Sequence, residues 1–119
     1  MIERRYPASL IRIVDGDTMD LDLDLGFGIH KRVRVRLAGV NTNEIYGVSH
    51  SSVEYALGLQ QKLFVHRMLT EGSGITFISH DETGKYGRPL GDIEVGGELL
   101  SESIHKKFTY LDENYGENW

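Results

Sequence analysis

Three short segments gather the residue types that can do chemistry: Asp15-Gly16-Asp17-Thr18, Arg36-Leu37-Ala38-Gly39-Val40-Asn41-Thr42-Asn43-Glu44 and Lys85-Tyr86-Gly87-Arg88. Arginine presents a planar fork of donors that suits phosphate or carboxylate oxygens. Aspartate, asparagine and backbone carbonyls offer hard oxygens to a cation, and a placed glutamate can take a proton from water. Each segment alone has an ordinary reading. Asp-Gly is a common turn, a strand-end arginine is commonly a salt-bridge partner, and a lone loop glutamate is by default simply exposed. Arg36 could serve only a charge ladder, and Arg88 could only pair with Asp81, Glu82 or Asp92. Their order along the chain, from residue 15 to 36 to 85, makes the three worth reading together.

The elements that must position them are mostly strands. Leu21, Leu23 and Leu25 alternate with Asp20, Asp22 and Asp24, and Val33, Val35 and Leu37 alternate with Arg32, Arg34 and Arg36. Period-two alternation puts the apolar residues on one face and the charges on the other, with Gly26 to His30 as the turn of a hairpin. A turn centred near Gly28 sets Asp24 against Arg32, Asp22 against Arg34 and Asp20 against Arg36; a two-residue slip sets Thr18 against Arg36 instead. Most of this ladder reads as charge matching on a solvated face, Arg36 excepted. One parity conflict stands out: Asp17 shares the odd positions of the leucines, while Arg36 lies opposite Leu37, so a twist or bulge near Gly16 must reconcile them.

From Ser51 to Leu69 the pattern becomes helical, with Val53, Leu57, Gln60, Phe64 and Met68 on one stripe beside Ala56, Leu63 and Arg67. Ser51-Ser52-Val53-Glu54 fits a capping box, and Gly72 suits the stop. Ile75 to His80 reads as a strand, Asp81 to Lys85 as a turn, Arg88 or Leu90 to Val95 as a strand, and a short helix starts near Leu99 after Gly96-Gly97. Strands, a helix and more strands predict a mainly β, α+β fold over 1–119 as one domain. The architecture expected is a five-stranded, partly open Greek-key barrel of OB type with a packed helix.

In this order the three segments resemble the staphylococcal nuclease (thermonuclease) family, over roughly residues 10 to 110. That family carries Asp-Gly-Asp-Thr, then Arg-Leu-x-x-Ile/Val-Asp-x-Pro-Glu, then Tyr-Gly-Arg, with the helix between the second and third. The resemblance implies a metal-dependent phosphodiesterase, an endonuclease acting on DNA or RNA, with calcium as the cofactor and magnesium or manganese as substitutes. It implies Asp17, Asn41 and the Thr42 carbonyl as metal ligands, Arg36 and Arg88 as phosphate-binding catalytic arginines, Glu44 as general base, and Tyr86 as a nucleotide contact; Lys85 beside it and Tyr110, an aromatic able to stack on a base, are the further substrate contacts expected from the residues themselves. Two positions depart from the pattern. Asn41 stands where many members have a second metal-binding aspartate, which lowers the negative charge offered to a cation. Asn43 stands where they have proline, which bears on loop rigidity. The rival reading is an OB-fold that binds nucleic acid or a protein without catalysis.

Charge gives mixed support. The net charge is −5, which opposes phosphate binding, but Lys31 to Arg36 supplies a local basic strip that can focus a positive field. Single-stranded nucleic acid is therefore the partner expected, and no membrane: no apolar run reaches transmembrane length. With no signal-peptide core after Arg4 and Arg5, the chain reads as cytoplasmic or otherwise intracellular. Without cysteine there are no disulfides or thiolate metal sites. Asp20-x-Asp22-x-Asp24 fails as a calcium loop, because Leu25 stands where that loop needs glycine and Lys31 where it needs glutamate. No glycine-lysine-serine/threonine phosphate loop occurs, and the five histidines show no ligand spacing.

Overall fold

The computed structural model describes residues 3–71, 74–83 and 87–111. Strands β1 (Arg4–Asp15), β2 (Thr18–Asp24) and β3 (His30–Leu37) form an antiparallel meander, and helix α1 (Val53–Glu71) follows. Then come β4 (Ile75–Thr83), β5 (Pro89–Val95), the two-residue β6 (Glu98–Leu99) and helix α2 (Leu100–Lys107). The sheet order is β3-β2-β1-β4-β5-β6, and a parallel pairing of β3 with β5 closes the first five strands into a barrel. This is the OB-type barrel with a packed helix that the strand-helix-strand pattern predicts.

Closure depends on Gly91. A Cβ there would lie 2.2 Å from the Ile78 carbonyl oxygen and 2.8 Å from the Phe77 ring, so only glycine lets β5 pass that close. At the seam Arg36 faces Leu90 and Leu37 faces Gly91, and the Ala38 N–H donates to the Gly91 carbonyl at 2.8 Å. The inward residues of the meander, Met19, Leu21, Val35 and Leu37, meet Phe77 and Ile93 in the interior, while Leu100, Ile104 and Phe108 of the α2 region cover it.

The β2–β3 hairpin takes the slipped register, with Thr18 opposite Arg36, Asp20 opposite Arg34, Asp22 opposite Arg32 and Asp24 opposite His30. Its turn therefore centres on Phe27 rather than Gly28. Gly26, Phe27 and Gly28 all have positive φ. The charge ladder is real on the outer face: Arg34 grips Asp20 through two bonds of 2.7 and 3.1 Å, and His30 meets Asp22 at 3.0 Å. Asp17 keeps the buried side of the leucines at 6% exposure, and Arg36 still comes within 3.5 Å of its carboxylate; a register shift between Ile13 and Asp15 lies beside this turn.

Three expectations for the rest of the chain are corrected. Helix α1 starts later, at Val53, because Ser52 and not Ser51 caps it: the Tyr55 N–H donates to Ser52 Oγ at 3.1 Å. Its buried face is Gly58, Gln61, Val65 and Leu69, rotated away from the stripe through Val53 and Gln60; Val53 and Leu63 are exposed. Apolar residues lie all around this helix, so contacts rather than hydrophobicity choose the inward face. Strand β4 also runs past His80 to Thr83, with a bulge between Ser79 and Glu82 where Asp81 has φ 59. Gly72 and the end of the expected turn, Gly84 and Lys85, lie outside the described residues.

Candidate phosphate site at the β1–β2 turn

The turn Asp15-Gly16-Asp17-Thr18 joins β1 to β2 at the barrel end where β3 finishes, and the Leu37 N–H donates to the Asp17 carbonyl at 2.8 Å. Chain after β3 folds back over this turn. Gly16 makes that possible, since a Cβ on it would sit 2.7 Å from Thr42 Cγ2. Thr42 then closes on Asp17, its N–H and hydroxyl donating to Asp17 Oδ2 at 2.9 and 3.1 Å. The other carboxylate oxygen accepts from the Thr18 hydroxyl at 3.0 Å.

Arg36 binds this assembly from the strand side. Its Nη1 donates to the carbonyls of Leu37 and Val40, and its Nη2 lies 3.3 Å from Asn41 Oδ1 and 3.5 Å from Asp17 Oδ2. Asp17, Asn41, Thr42 and Arg36 are thus one connected cluster. Arg88 stands two residues before Leu90, the β5 partner of Arg36, so the parallel register sets it level with Arg34, two residues back along β3 from Arg36. Glu44 is exposed two residues beyond Thr42, and its N–H approaches Glu54 Oε1 at 3.4 Å. Lys85 and Tyr86 lie outside the described residues.

Burial sets the protonation of the two turn aspartates. Asp15 is pushed up to about 8, first by loss of water and then by its hydrogen bond to Asp17 and the charge there. For Asp17 burial also favours the neutral form, but the proton on Asp15, the Arg36 charge, the Thr42 N–H and the Thr18 hydroxyl outweigh it and hold Asp17 below the ordinary carboxylate range. At neutral pH these opposite shifts favour the protonated form of Asp15 and the ionised form of Asp17, which faces Arg36.

A hard cation is suited by these donors in type: an ionised carboxylate, an amide oxygen and backbone oxygens. In charge the fit is loose, because Asp17 is the single carboxylate of the expected set and Arg36 already faces both it and Asn41. Among the described residues no group of three or more histidine, aspartate or glutamate side chains could hold a metal ion. Thr42 contributes two donors to Asp17, a supporting role the sequence does not announce.

Four supporting residues escape the sequence reading. Asp15 looks like turn punctuation, yet burial favours its protonated form. Gln61 is 0% exposed; its side-chain oxygen accepts from the Asn43 backbone N–H and its NH2 donates to the Asn43 side-chain oxygen and to the Tyr110 hydroxyl at 3.0 Å. Tyr110, expected at the substrate, thereby has its hydroxyl committed to the loop support, although its ring is half exposed. His105 Nε2 is 2.9 Å from the Gly39 carbonyl, bracing the loop from α2. Tyr46 reaches back to the Val14 carbonyl at 3.1 Å. A polar residue on the 3–4 spacing of Gly58 and Val65 was the available signal for Gln61. Compared with known proteins, the chain matches no family model and no curated protein.

Proposed function

We propose that this protein is a nuclease that hydrolyses phosphodiester bonds in single-stranded DNA or RNA, cutting internally and using calcium. The observation that supports the reading is the convergence of segments remote in sequence: the turn aspartate Asp17, the strand-end Arg36 and the Asn41–Thr42 loop meet in one hydrogen-bonded cluster, and Arg88 precedes the strand that pairs with Arg36. Phosphodiester hydrolysis is mostly positioning and charge stabilisation, and two arginines beside a strand end can take the phosphoryl oxygens as a bidentate clamp. Glu44, exposed on the adjoining loop, takes the proton of the attacking water. Asp17, Asn41 and the Thr42 carbonyl would hold the cation, which supplies positive charge to the phosphoryl oxygens when bound. Asp15 and Thr18 keep Asp17 anionic and oriented, and Lys85, Tyr86 and the Tyr110 ring contact the nucleotide.

One observation favours the binding module instead. Arg36 is turned inward onto the Leu37 and Val40 carbonyls, as a loop staple would be. The deciding experiment incubates purified protein with labelled single- and double-stranded DNA and RNA in calcium, magnesium, manganese or chelator. Metal-dependent cleavage that Glu44→Gln lowers by roughly 10²–10⁴-fold, with binding kept, supports the nuclease. Binding without cleavage under every metal establishes the module.

A further inference from the structure

The tip of the β2–β3 hairpin presents side chains for which the fold has no use. Phe27 is 102% exposed, against 39% for Leu25 and 56% for Ile29 on either side. Its backbone sits at φ 58, between Gly26 and Gly28 that also have positive φ. A bulky side chain rarely adopts this conformation, and glycine would hold it without strain. The turn is already closed without the ring, by Leu25 N–H to the Ile29 carbonyl and Ile29 N–H to the Gly26 carbonyl.

The two strands at the tip carry opposite charges. Strand β3 carries Lys31, Arg32, Arg34 and Arg36 and no acid. The facing acids of β2 are engaged: Asp20 with Arg34, Asp22 with His30, and Asp24 with the Gly26 N–H. The side chains of Lys31 and Arg32 are exposed and make no hydrogen bond or close salt bridge among the described residues, although Arg32 stands opposite Asp22 and its charge acts on Asp20. The same strand that begins at the tip ends at Arg36, about 25 Å away at the usual rise per residue.

The geometry points to this hairpin as a second contact for single-stranded nucleic acid, with a base stacked on Phe27 and the flanking phosphates on Lys31 and Arg32. It rests on the nucleic-acid reading of the barrel-end site and extends it, since one strand would run from that site along β3 to the tip. The side chain at the tip that is free on every side is an aromatic ring, which is what sequence-tolerant stacking uses. Leu25 and Ile29 are each partly covered, which favours a stacking platform over a lipid-inserting apolar tip. Because the two contacts are far apart, a strand of a few nucleotides reaches only one of them.

The test uses the full chain and oligothymidylates of 4 and 24 nucleotides, read by fluorescence anisotropy across a salt series, with cleavage of both followed in calcium. Phe27 packs on nothing, so Phe27→Ala should fold as the parent does. It should weaken binding of the long strand by roughly 5- to 100-fold and leave the short strand and its cleavage unchanged. Lys31→Gln with Arg32→Gln should flatten the salt dependence of long-strand binding by about 0.7 per cation removed. Phe27→Trp with Trp119→Phe places a lone indole at the tip, whose fluorescence should be quenched by the long strand. Retained long-strand affinity in Phe27→Ala, or an unquenched indole, overturns the hairpin contact while intact short-strand cleavage leaves the barrel-end site standing. A parent that neither binds nor cleaves either strand overturns both. Phosphatidylserine vesicles that bind the parent, lose binding in Phe27→Ala and find no counterpart in nucleic acid would assign the tip to a membrane surface and overturn the proposal.

Discussion

Gln61 and Asn43 exchange two hydrogen bonds of 2.7 Å each, one from the Asn43 N–H to the Gln61 side-chain oxygen and one from the Gln61 amide to the Asn43 side-chain oxygen. A buried helix residue thereby fixes the loop that carries Asn41, Thr42 and Glu44. Proline would stiffen such a loop covalently; asparagine does it through a partner. Gln61→Leu keeps the volume and removes the partner, leaving the Asn43 N–H and the Tyr110 hydroxyl without it. The variant should lose about 2–4 kcal/mol in urea denaturation, from unmade bonds at buried groups. A loss under about 0.5 kcal/mol would mean the loop holds itself.

Gly58→Ala tests the same contact from the helix side. Alanine normally stabilises a helix interior by about 1 kcal/mol over glycine. Here its Cβ would lie 2.4 Å from Ile45 Cγ2 and 2.8 Å from the Asn43 carbonyl oxygen, one of them backbone that cannot yield cheaply. The net effect should be a destabilisation of about 1–3 kcal/mol, with a lowered thermal midpoint. A stabilised variant would show that the loop does not rest on this helix.

Asp15 makes stability depend on pH in a definite direction. Its folded-state pKa is about 8 against an ordinary 3.8, so between those values the folded chain holds a proton that the unfolded chain has released. Stability from this group must fall as pH rises through that window. Asp17 acts oppositely: its lowered pKa gives a contribution that is present at neutral pH and lost only as pH falls below the carboxylate range. Asp15→Asn cannot ionise, so it should abolish a loss on the order of 1–4 kcal/mol that the parent shows between pH 5 and 8. Urea midpoints of both proteins across that range check it, and parallel profiles would remove Asp15 as the proton holder.

Asn41→Asp tests how a cation and Arg36 share the site. The new carboxylate adds charge beside Asp17 and tightens the hold on Arg36 as well. Calcium affinity should rise by roughly tenfold, with greater thermal stabilisation on calcium addition than in the parent. Calorimetric titration of both proteins decides it; unchanged affinity would mean that position 41 binds only Arg36.

Alternation carried most of the barrel, because leucines and valines at period two must face inward together, and the slipped register followed once the turn was free to centre on Phe27. Helix α1 was legible as a helix and illegible in its facing. Gly58 and Gln61 turn inward for the sake of the 43–45 backbone, and no hydrophobic pattern encodes a partner so far along the chain. Of the candidate site, Asp17, Arg36, Asn41 and Thr42 were legible as residues that the fold brings into one cluster. Its support was not: Gln61 and His105 act through partners 18 and 66 residues away that only the fold brings near, and Asp15 matters through a burial that the turn sequence does not show.

The parallel seam of β3 and β5 spans just Arg36 with Leu90 and Leu37 with Gly91, whereas β2 and β3 pair along their whole length. Native chains open locally where contacts are fewest. Breathing at this seam would part the strand end of Arg36 from the segment of Arg88 while the meander stays folded. The Ala38 N–H, whose acceptor is the Gly91 carbonyl across the seam, is then the amide whose hydrogen exchange reports that opening, while the Leu37 N–H stays protected on the Asp17 carbonyl.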